Sequence, residues 1–347
     1  MADELTIEVL RTTKALNRIE PEWDALALAC GDRSGFCRYP FVSQSWARHR
    51  TDARNRLSIL AIRRQRTLVA IVPLMKRSDG YGPSTLKWLD SKTPLYDDML
   101  LAPDEDLEAV AQQVGRYLRN AWLVRKLKAE FVLAGSNADR LLSRLGADAQ
   151  SNYNAYAARV EGYASWDEYL LSRSARTRAA YRRLHRRLAE LGEVRIDIVS
   201  DTSELEAAIA WIFERKRAWV HDRYGRENWL SPAETESFFR TVSGSLRERG
   251  DAFAISMTCG GACIASMLAF RNGATLYVSK MAFDPAWGKF SPGWLLIFEA
   301  IKVVIAQKMN NLDFMIGTEP WKDRSADHSR EVLQYRLKLP VFGAFGR

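Results

Sequence analysis

At 347 residues, with 47% hydrophobic and 11% aromatic content, the chain is too apolar to be disordered and long enough for two cores. Its 51 Lys and Arg against 42 Asp and Glu leave a net charge of +9, which favours an anionic ligand such as nucleic acid, an anionic membrane face or a phosphorylated small molecule. Four cysteines are too few for a disulfide framework, Asp3, Glu4 and Glu8 stand where a signal peptide would be apolar, and no segment offers the ~20 charge-free apolar residues of a membrane helix, so the expectation is a soluble cytoplasmic protein.

In the N-terminal half, Leu57–Ile62 and Leu68–Met75 read as a hairpin around Arg64-Gln65-Arg66. Tyr96–Leu101 reads as a further strand, Glu105–Ala121 as a helix and Glu130–Ala134 as a strand. A basic segment follows, with Arg173, Arg176, Arg178, Arg182, Arg183, Arg186 and Arg187 around His185 and no acid until Glu190. Tyr181, Leu184, Leu188 and Leu191 recur at spacings of three and four, so the segment is an amphipathic helix with Arg182 and Arg186 opposite its apolar stripe.

Val194–Val199 reads as a strand, and Ser203–His221 and Pro232–Arg249 as helices. Ala252–Thr258, Cys263–Phe270 and Thr275–Phe283 are apolar runs joined across Gly260-Gly261 and Asn272-Gly273. Residue pairs that tolerate positive φ are what tight hairpins require, so these form an antiparallel meander. A loop over Ala286–Phe290 leads to Ser291-Pro292-Gly293 and an apolar helix from Trp294 to Ala306. Ser at the N-cap and Pro at the first helical position are a start signal, and only Glu299 and Lys302 mark a wet face. Asn311–Ile316 is a closing strand, ended by Gly317. Hairpin, strand, helix and strand thus occur in both halves, predicting two related α/β domains with mixed sheets, at 1–160 and 161–347.

The strand, loop and helix from Thr275 to Ala306 carry the most chemistry. A helix start presents unpaired amides and the positive end of the macrodipole to an anion. Gly288 and Gly293 let backbone approach a phosphate, Lys289 adds charge, and Phe290, Ser291 and Pro292 complete the segment. Its plain alternative is a well-formed helix start. The Arg-rich helix, with Arg178 and Arg182, reads either as an anion contact or as a solvated basic face. Asp284, Asp313, Glu319 and Lys322 are scattered acid-base candidates. Cys259 and Cys263 straddle a turn with no His or Cys pair beside them, so no metal is expected, and neither a triphosphate loop nor a dinucleotide fingerprint is present.

The basic helix through Gly192, Leu246-Arg-Glu-Arg-Gly250, the meander, Phe283-Asp-Pro-Ala-Trp-Gly-Lys-Phe-Ser-Pro-Gly293 and Leu312-Asp-Phe-Met-Ile-Gly-Thr-Glu-Pro-Trp-Lys322 together resemble the bacterial BioF2-like (CelD-like) acetyltransferase domain of the GNAT superfamily. Phe41-Val-Ser-Gln-Ser-Trp46, Ile71-Val-Pro-Leu74 and Tyr96-Asp-Asp98 resemble its leader region, so the likeness spans nearly the whole chain. It implies tandem GNAT-like domains similar to the FemABX transferases, with the donor in the second half. Acyl-CoA would rest its pyrophosphate on Gly288–Gly293 and acylate an amine or hydroxyl of a sugar, amino acid or envelope precursor. Asp313 and Lys322 match the family's closing Asp, Gly and Lys pattern, while Trp321 stands where Tyr is more usual.

The resemblance makes Asp313 or Glu319 the base or orienter, and puts Lys216, Arg217 and Trp219 near a small-molecule acceptor. Two rivals remain open: a FemABX-like enzyme using aminoacyl-tRNA, and a non-catalytic protein whose basic helix docks on nucleic acid or membrane. Salt separates them, because counterion release makes nucleic-acid binding steeply salt-dependent.

Overall fold

A computed structural model of the chain describes residues 4–31, 35–78, 80, 82–89, 92–121, 123–224, 233–317 and 320–339. The chain divides into two compact units, one made of Met1–Asn154 with the segment from Arg330, the other of Ala155–Ser329. The sequence-based division at 160/161 left everything after it in the second domain. Instead the last strand, β15 (His328–Lys338), pairs antiparallel with β8 (Val124–Leu133), which returns the chain to the first unit.

Unit 1 opens with β1 (Leu5–Leu10), α1 (Thr13–Arg18), α2 (Glu20–Cys30) and α3 (Tyr39–His49). β2 (Asn55–Leu57), β3 (Ile59–Arg64), β4 (Thr67–Val72), β5 (Leu74–Arg77), β6 (Ser84–Trp88) and β7 (Leu100–Leu101) follow. After them come α4 (Leu107–Asn120), β8, α5 (Asn137–Arg144) and β9 (Asp148–Arg159), whose last residues belong to unit 2. One sheet has the order β1-β3-β4-β7, and a second run of strands has the order β15-β8-β6-β5-β2, with β6 and β8 parallel.

The expected hairpin over Leu57–Met75 is therefore divided between two sheets. Its strands change partner at Ser58 and at Pro73, and Pro73, having no N–H to give, is a natural place for a ladder to end. Trp23, Trp46, Leu60, Val110, Val132 and Leu141 are among the side chains sealed in its core.

Unit 2 contains α6 (Trp166–Ser172), α7 (Ala175–Ala189), β10 (Val194–Val199), α8 (Thr202–Tyr224) and α9 (Ala233–Arg247). The meander is β11 (Ala252–Cys259), β12 (Ala262–Asn272) and β13 (Thr275–Phe283), followed by α10 (Pro292–Ala306), β14 (Asn311–Ile316) and α11 (Pro320–Ser325). Gly260 and Gly261 both take positive φ, of 57° and 83°, as a tight β11–β12 turn demands. β10 to β13 pair antiparallel in sequence, β14 runs parallel to β13, and the end of β9 pairs with β14.

The crossover that the parallel strands β13 and β14 need is α10. It buries Leu295, Leu296, Ile297, Phe298, Ile301 and Val304, each contributing roughly 1.5–3 kcal/mol by leaving water. Glu299 corrects the expectation of a wet face. It is 5% exposed, and its carboxylate accepts from Tyr181 Oη at 2.7 Å, His185 Nε2 at 2.8 Å and Lys302 Nζ at 2.9 Å. Burial alone would raise its pKa, but the bonds from His185, Lys302 and Tyr181 outweigh it and hold the carboxyl below the usual range. Tyr181 and His185 belong to α7, so this cluster fastens the Arg-rich helix to the crossover helix. Tyr181, Leu184 and Leu188 are buried as the periodicity requires, whereas Leu191 lies past the helix end and is 56% exposed.

Candidate functional site

The β13–β14 pairing is short. Thr275, Leu276 and Tyr277 face Asn311, Leu312 and Asp313, and beyond that point the two parallel strands part. Two local irregularities produce the parting. On β13, Val278 opposes Ala269 and Lys280 opposes Leu268, so Ser279 is an extra residue that bends the strand. On β14, the Asp313 carboxylate accepts from Met315 N at 2.7 Å, and Met315 adopts a φ of 61°, breaking the register with β9 before Ile316. The result is a wedge between the two strands that widens towards their C-terminal ends, with no β13–β14 pair beyond Tyr277 and Asp313 among the described residues.

The start of α10 stands beside the end of β13. A Cβ placed on Gly293 would meet Phe283 Cδ1 at 3.4 Å and Met281 Cε at 3.6 Å. The sequence-based capping role of Ser291 is corrected here: Ser291 is left-handed, with φ 50° and ψ 51°, and its side chain makes no cap bond. The first helical bond runs from Leu295 N to Ser291 O at 3.1 Å, which leaves the amides of Gly293 and Trp294 ahead of it. No acid lies in the first turn. The preceding Pro285–Phe290 segment is a 3₁₀ helix rather than a loop, and Asp284 caps it by accepting from Ala286 N at 3.0 Å.

Gly288, Lys289 and Ser291 are exposed, while Phe290, Pro292 and Gly293 are buried beneath them. Lys289 Nζ lies 5.1 Å from the Phe290 ring, and the Arg187 guanidinium of α7 lies 5.2 Å from the same ring. Two cations thus reach the loop from different elements. Arg187 was read as one of a basic run, and nothing in linear spacing tells which arginine of that run meets the loop.

The other sequence-based candidates have diverse placements. Arg182 is exposed on α7 with Arg183 and Arg186. Arg178 donates to Leu171 O at 3.0 Å and also to Arg173 O, tying α7 to the end of α6. Arg217 is paired with Glu236 of α9 at 2.8 Å, where Glu236 also holds Arg240. Trp219 is 42% exposed, and Lys216 Nζ lies 5.8 Å from its ring. Asp313 is 2% exposed and shapes the strand break. Lys322, 5% exposed, donates to Ile316 O at 2.7 Å and so sits at the open end of β14. Glu319 lies outside the described residues.

A residue absent from the sequence-based set joins these. Lys280 of β13 is 5% exposed, with Nζ 4.4 Å from the Phe239 ring of α9 and donating to Ser279 O at 2.9 Å. Burial first, then the Lys216 and Lys322 charges, push its ammonium well below the ordinary lysine range. A lysine in an otherwise apolar strand, Leu-Tyr-Val-Ser-Lys-Met-Ala, was the available signal, but alternation alone assigns no partner to it. Among the described residues no group of three or more His, Cys, Asp or Glu is arranged to hold a metal, and no helix is long and apolar enough to cross a membrane.

Residues 175–323 match the family model described as an acetyltransferase (GNAT) domain. A crystal structure of FemX superposes with a TM-score of 0.61 at 14% identity, over 96% of this chain and 97% of that one. A conserved protein of unknown function from Bacteroides thetaiotaomicron gives 0.58 at 11%, over 96% and 100%. The C-terminal domain of a putative lysylphosphatidylglycerol synthetase from Agrobacterium fabrum gives 0.50 at 11%, over 77% and 80%. A search of curated proteins finds no match. At these identities the likeness is one of fold.

Proposed function

With residues 175–323 belonging to the GNAT acetyltransferase domain family, we propose that the protein transfers an acyl group from acyl-CoA to an amine or hydroxyl of a small acceptor, a sugar, amino acid or envelope precursor. The observation that carries this reading is the wedge between β13 and β14 opening beside the uncapped start of α10. Amides of Gly293 and Trp294 with Lys289 and Arg187 suit a diphosphate, and the gap between the parted strands suits the extended arm that joins it to the thioester. Lys216 and Trp219 on α8 and Lys322 on α11 supply the acceptor side. Holding donor and acceptor in contact removes the entropy of their encounter, and backbone donors in the wedge stabilise the oxyanion without a covalent intermediate.

Calorimetry with CoA and acetyl-CoA tests the donor. Binding of both, lost in Gly293→Asp, is the expected result, and absence of binding by the wild type refutes it. A second reading, transfer from aminoacyl-tRNA, is favoured by the exposed Arg182, Arg183 and Arg186 of α7 and by the fold shared with FemX. RNA binding that collapses between low and moderate salt, without CoA binding, would select it.

A further inference from the structure

We propose that the exposed side of α7 docks on an anionic lipid layer, held there by Arg176, Arg182, Arg183 and Arg186 and by the leucines at the two ends of the helix. The inference goes beyond the transfer reaction and does not depend on which donor the protein uses.

Seven arginines lie between Arg173 and Arg187, and three of them are engaged by the protein itself. Arg173 faces Asp327 at 3.5 Å, Arg178 donates to Leu171 O at 3.0 Å, and Arg187 lies 5.2 Å from the Phe290 ring. The other four are exposed, and none makes a side-chain hydrogen bond, ion pair or ring contact among the described residues. At about 100° per residue they fill an arc of roughly 120° opposite the buried Tyr181, Leu184 and Leu188, over about 15 Å of helix. The next acid along the chain is Glu190, at the C-cap. Four like charges thus face one way without a counter-charge in the fold, and an anionic surface is what relieves their repulsion.

The helix is held as a fixed plate, because its apolar stripe is already used. Leu188 is fully buried, and Tyr181 Oη and His185 Nε2 reach Glu299 of α10 at 2.7 and 2.8 Å. What surrounds the arginines favours lipid over nucleic acid. Ala175 and Ala179 fill the rest of the arc, so no aromatic or amide side chain stands among the guanidiniums to stack on a base or read its edge. Leu171, whose carbonyl holds Arg178 at the start of α7, is 65% exposed, and Leu191, just past its end, is 56% exposed. A phosphodiester backbone gives such leucines nothing, whereas the boundary between headgroups and acyl chains takes up leucine while the phosphates bind arginine.

The test sediments the full chain with vesicles of phosphatidylcholine alone, or of three parts phosphatidylcholine to one part phosphatidylglycerol. Binding is expected only to the anionic vesicles, weakening as sodium chloride rises from about 0.1 to about 0.5 M. An arginine near an anionic surface strengthens binding roughly fivefold, so Arg182→Gln with Arg186→Gln should lose about 25-fold, and adding Arg176→Gln and Arg183→Gln should lose several hundredfold. Leu171→Ser with Leu191→Ser should lose about tenfold. All six side chains are exposed, so the variants should fold, which circular dichroism checks. If the fourfold variant does not fold, the Arg182, Arg186 pair and the salt dependence of the wild type decide.

Wild type that sediments with neither vesicle, or equally with both, overturns the proposal, as does an arginine variant that sediments like the wild type. Bulk transfer RNA that strips the wild type from anionic vesicles, with the leucine variant bound to them as tightly as the wild type, overturns it in favour of nucleic acid.

Discussion

Two helices hold the same place in the repeated order of elements, α4 ahead of β8 in unit 1 and α10 ahead of β14 in unit 2, and they begin in opposite ways. Asp106 caps α4, its carboxylate accepting from Glu108 N at 2.9 Å and Ala109 N at 3.3 Å, with Glu108 adding a second acid to the first turn. α10 begins at a left-handed Ser291 with no side-chain cap, no acid, and Lys289 just upstream. A carboxylate at a helix start neutralises the dipole and uses its amides, whereas an empty start keeps both for a ligand. On the proposed reading, unit 1 uses its helix start for stability and unit 2 keeps its own for an anion.

Gly293→Asp breaks the contrast with the largest expected effect. Its Cβ meets only ordinary contacts with Phe283 and Met281, and the helix-start amides offset the cost of burying the new carboxylate, so the melting temperature should change little. CoA affinity should fall ~100-fold or more, because two anions compete for the same amides. Calorimetry and thermal melts on one sample separate the two effects, and parallel losses in both would mean that α10 is merely damaged.

The two units also differ in how they hold a carboxyl away from water, half-buried at Asp98 and buried at Glu299. In unit 1, Asp98 accepts from Met99 N at 2.9 Å and Ala138 N at 2.8 Å, and burial, outweighing these bonds and the Arg140 charge, raises it to about 6. A raised folded pKa makes the folded state bind its proton more tightly, so stability is present at pH 4 and falls as pH rises through 6. Asp98→Asn retains an oxygen for both amides and removes the ionisation, so it should gain roughly 3 kcal/mol at pH 8 and nothing at pH 4.

Glu299 in unit 2 has the opposite sign. Its lowered pKa gives stability that is present above the unfolded value and lost as pH falls through the folded one. Glu299→Gln should cost about 2 kcal/mol at pH 7 and flatten the acid limb of a denaturant-midpoint profile. Profiles of the two variants that bend the same way would contradict one of the two assignments, and the direction of the bend says which.

Where alternation, turn pairs and start signals act locally, the sequence was readable: the meander, α10 and β14 lie within a few residues of their expected limits. It was less so where a choice is made by distant partners. Ser58 and Pro73 change sheets because β5 and β6 are available, and β15 follows β8, which precedes it by some two hundred positions, so neither leaves a periodic trace. The site divides the same way. Gly293 and Lys289 could be found from a strand, loop and helix in succession. Lys280, Arg187 and the inward turn of Glu299 depend on which helix packs on which face, and a charged residue on an apolar stretch reads as wet until its partners are known.

Smaller effects sharpen the contrast of helix starts from the other side. Asp106→Ala should cost about 1 kcal/mol of stability by leaving two amides of α4 without their acceptor, with CoA affinity untouched. A gain of CoA binding in that variant would mean that unit 1 has kept a latent donor site.

The smallest effect belongs to Arg217, whose sequence-based role was contact with the acceptor. In the fold its guanidinium clasps Glu236 across α8 and α9, at 38% exposure on the arginine side, and Glu236 retains Arg240 when Arg217 is removed. Solvent screening limits such a pair to ~0.5 kcal/mol. Arg217→Met should therefore lower the denaturant midpoint slightly and leave CoA affinity and thiol release as they were. A tenfold loss of turnover at unchanged stability would instead return Arg217 to the acceptor site, and would require the α8–α9 clasp to open when substrate binds.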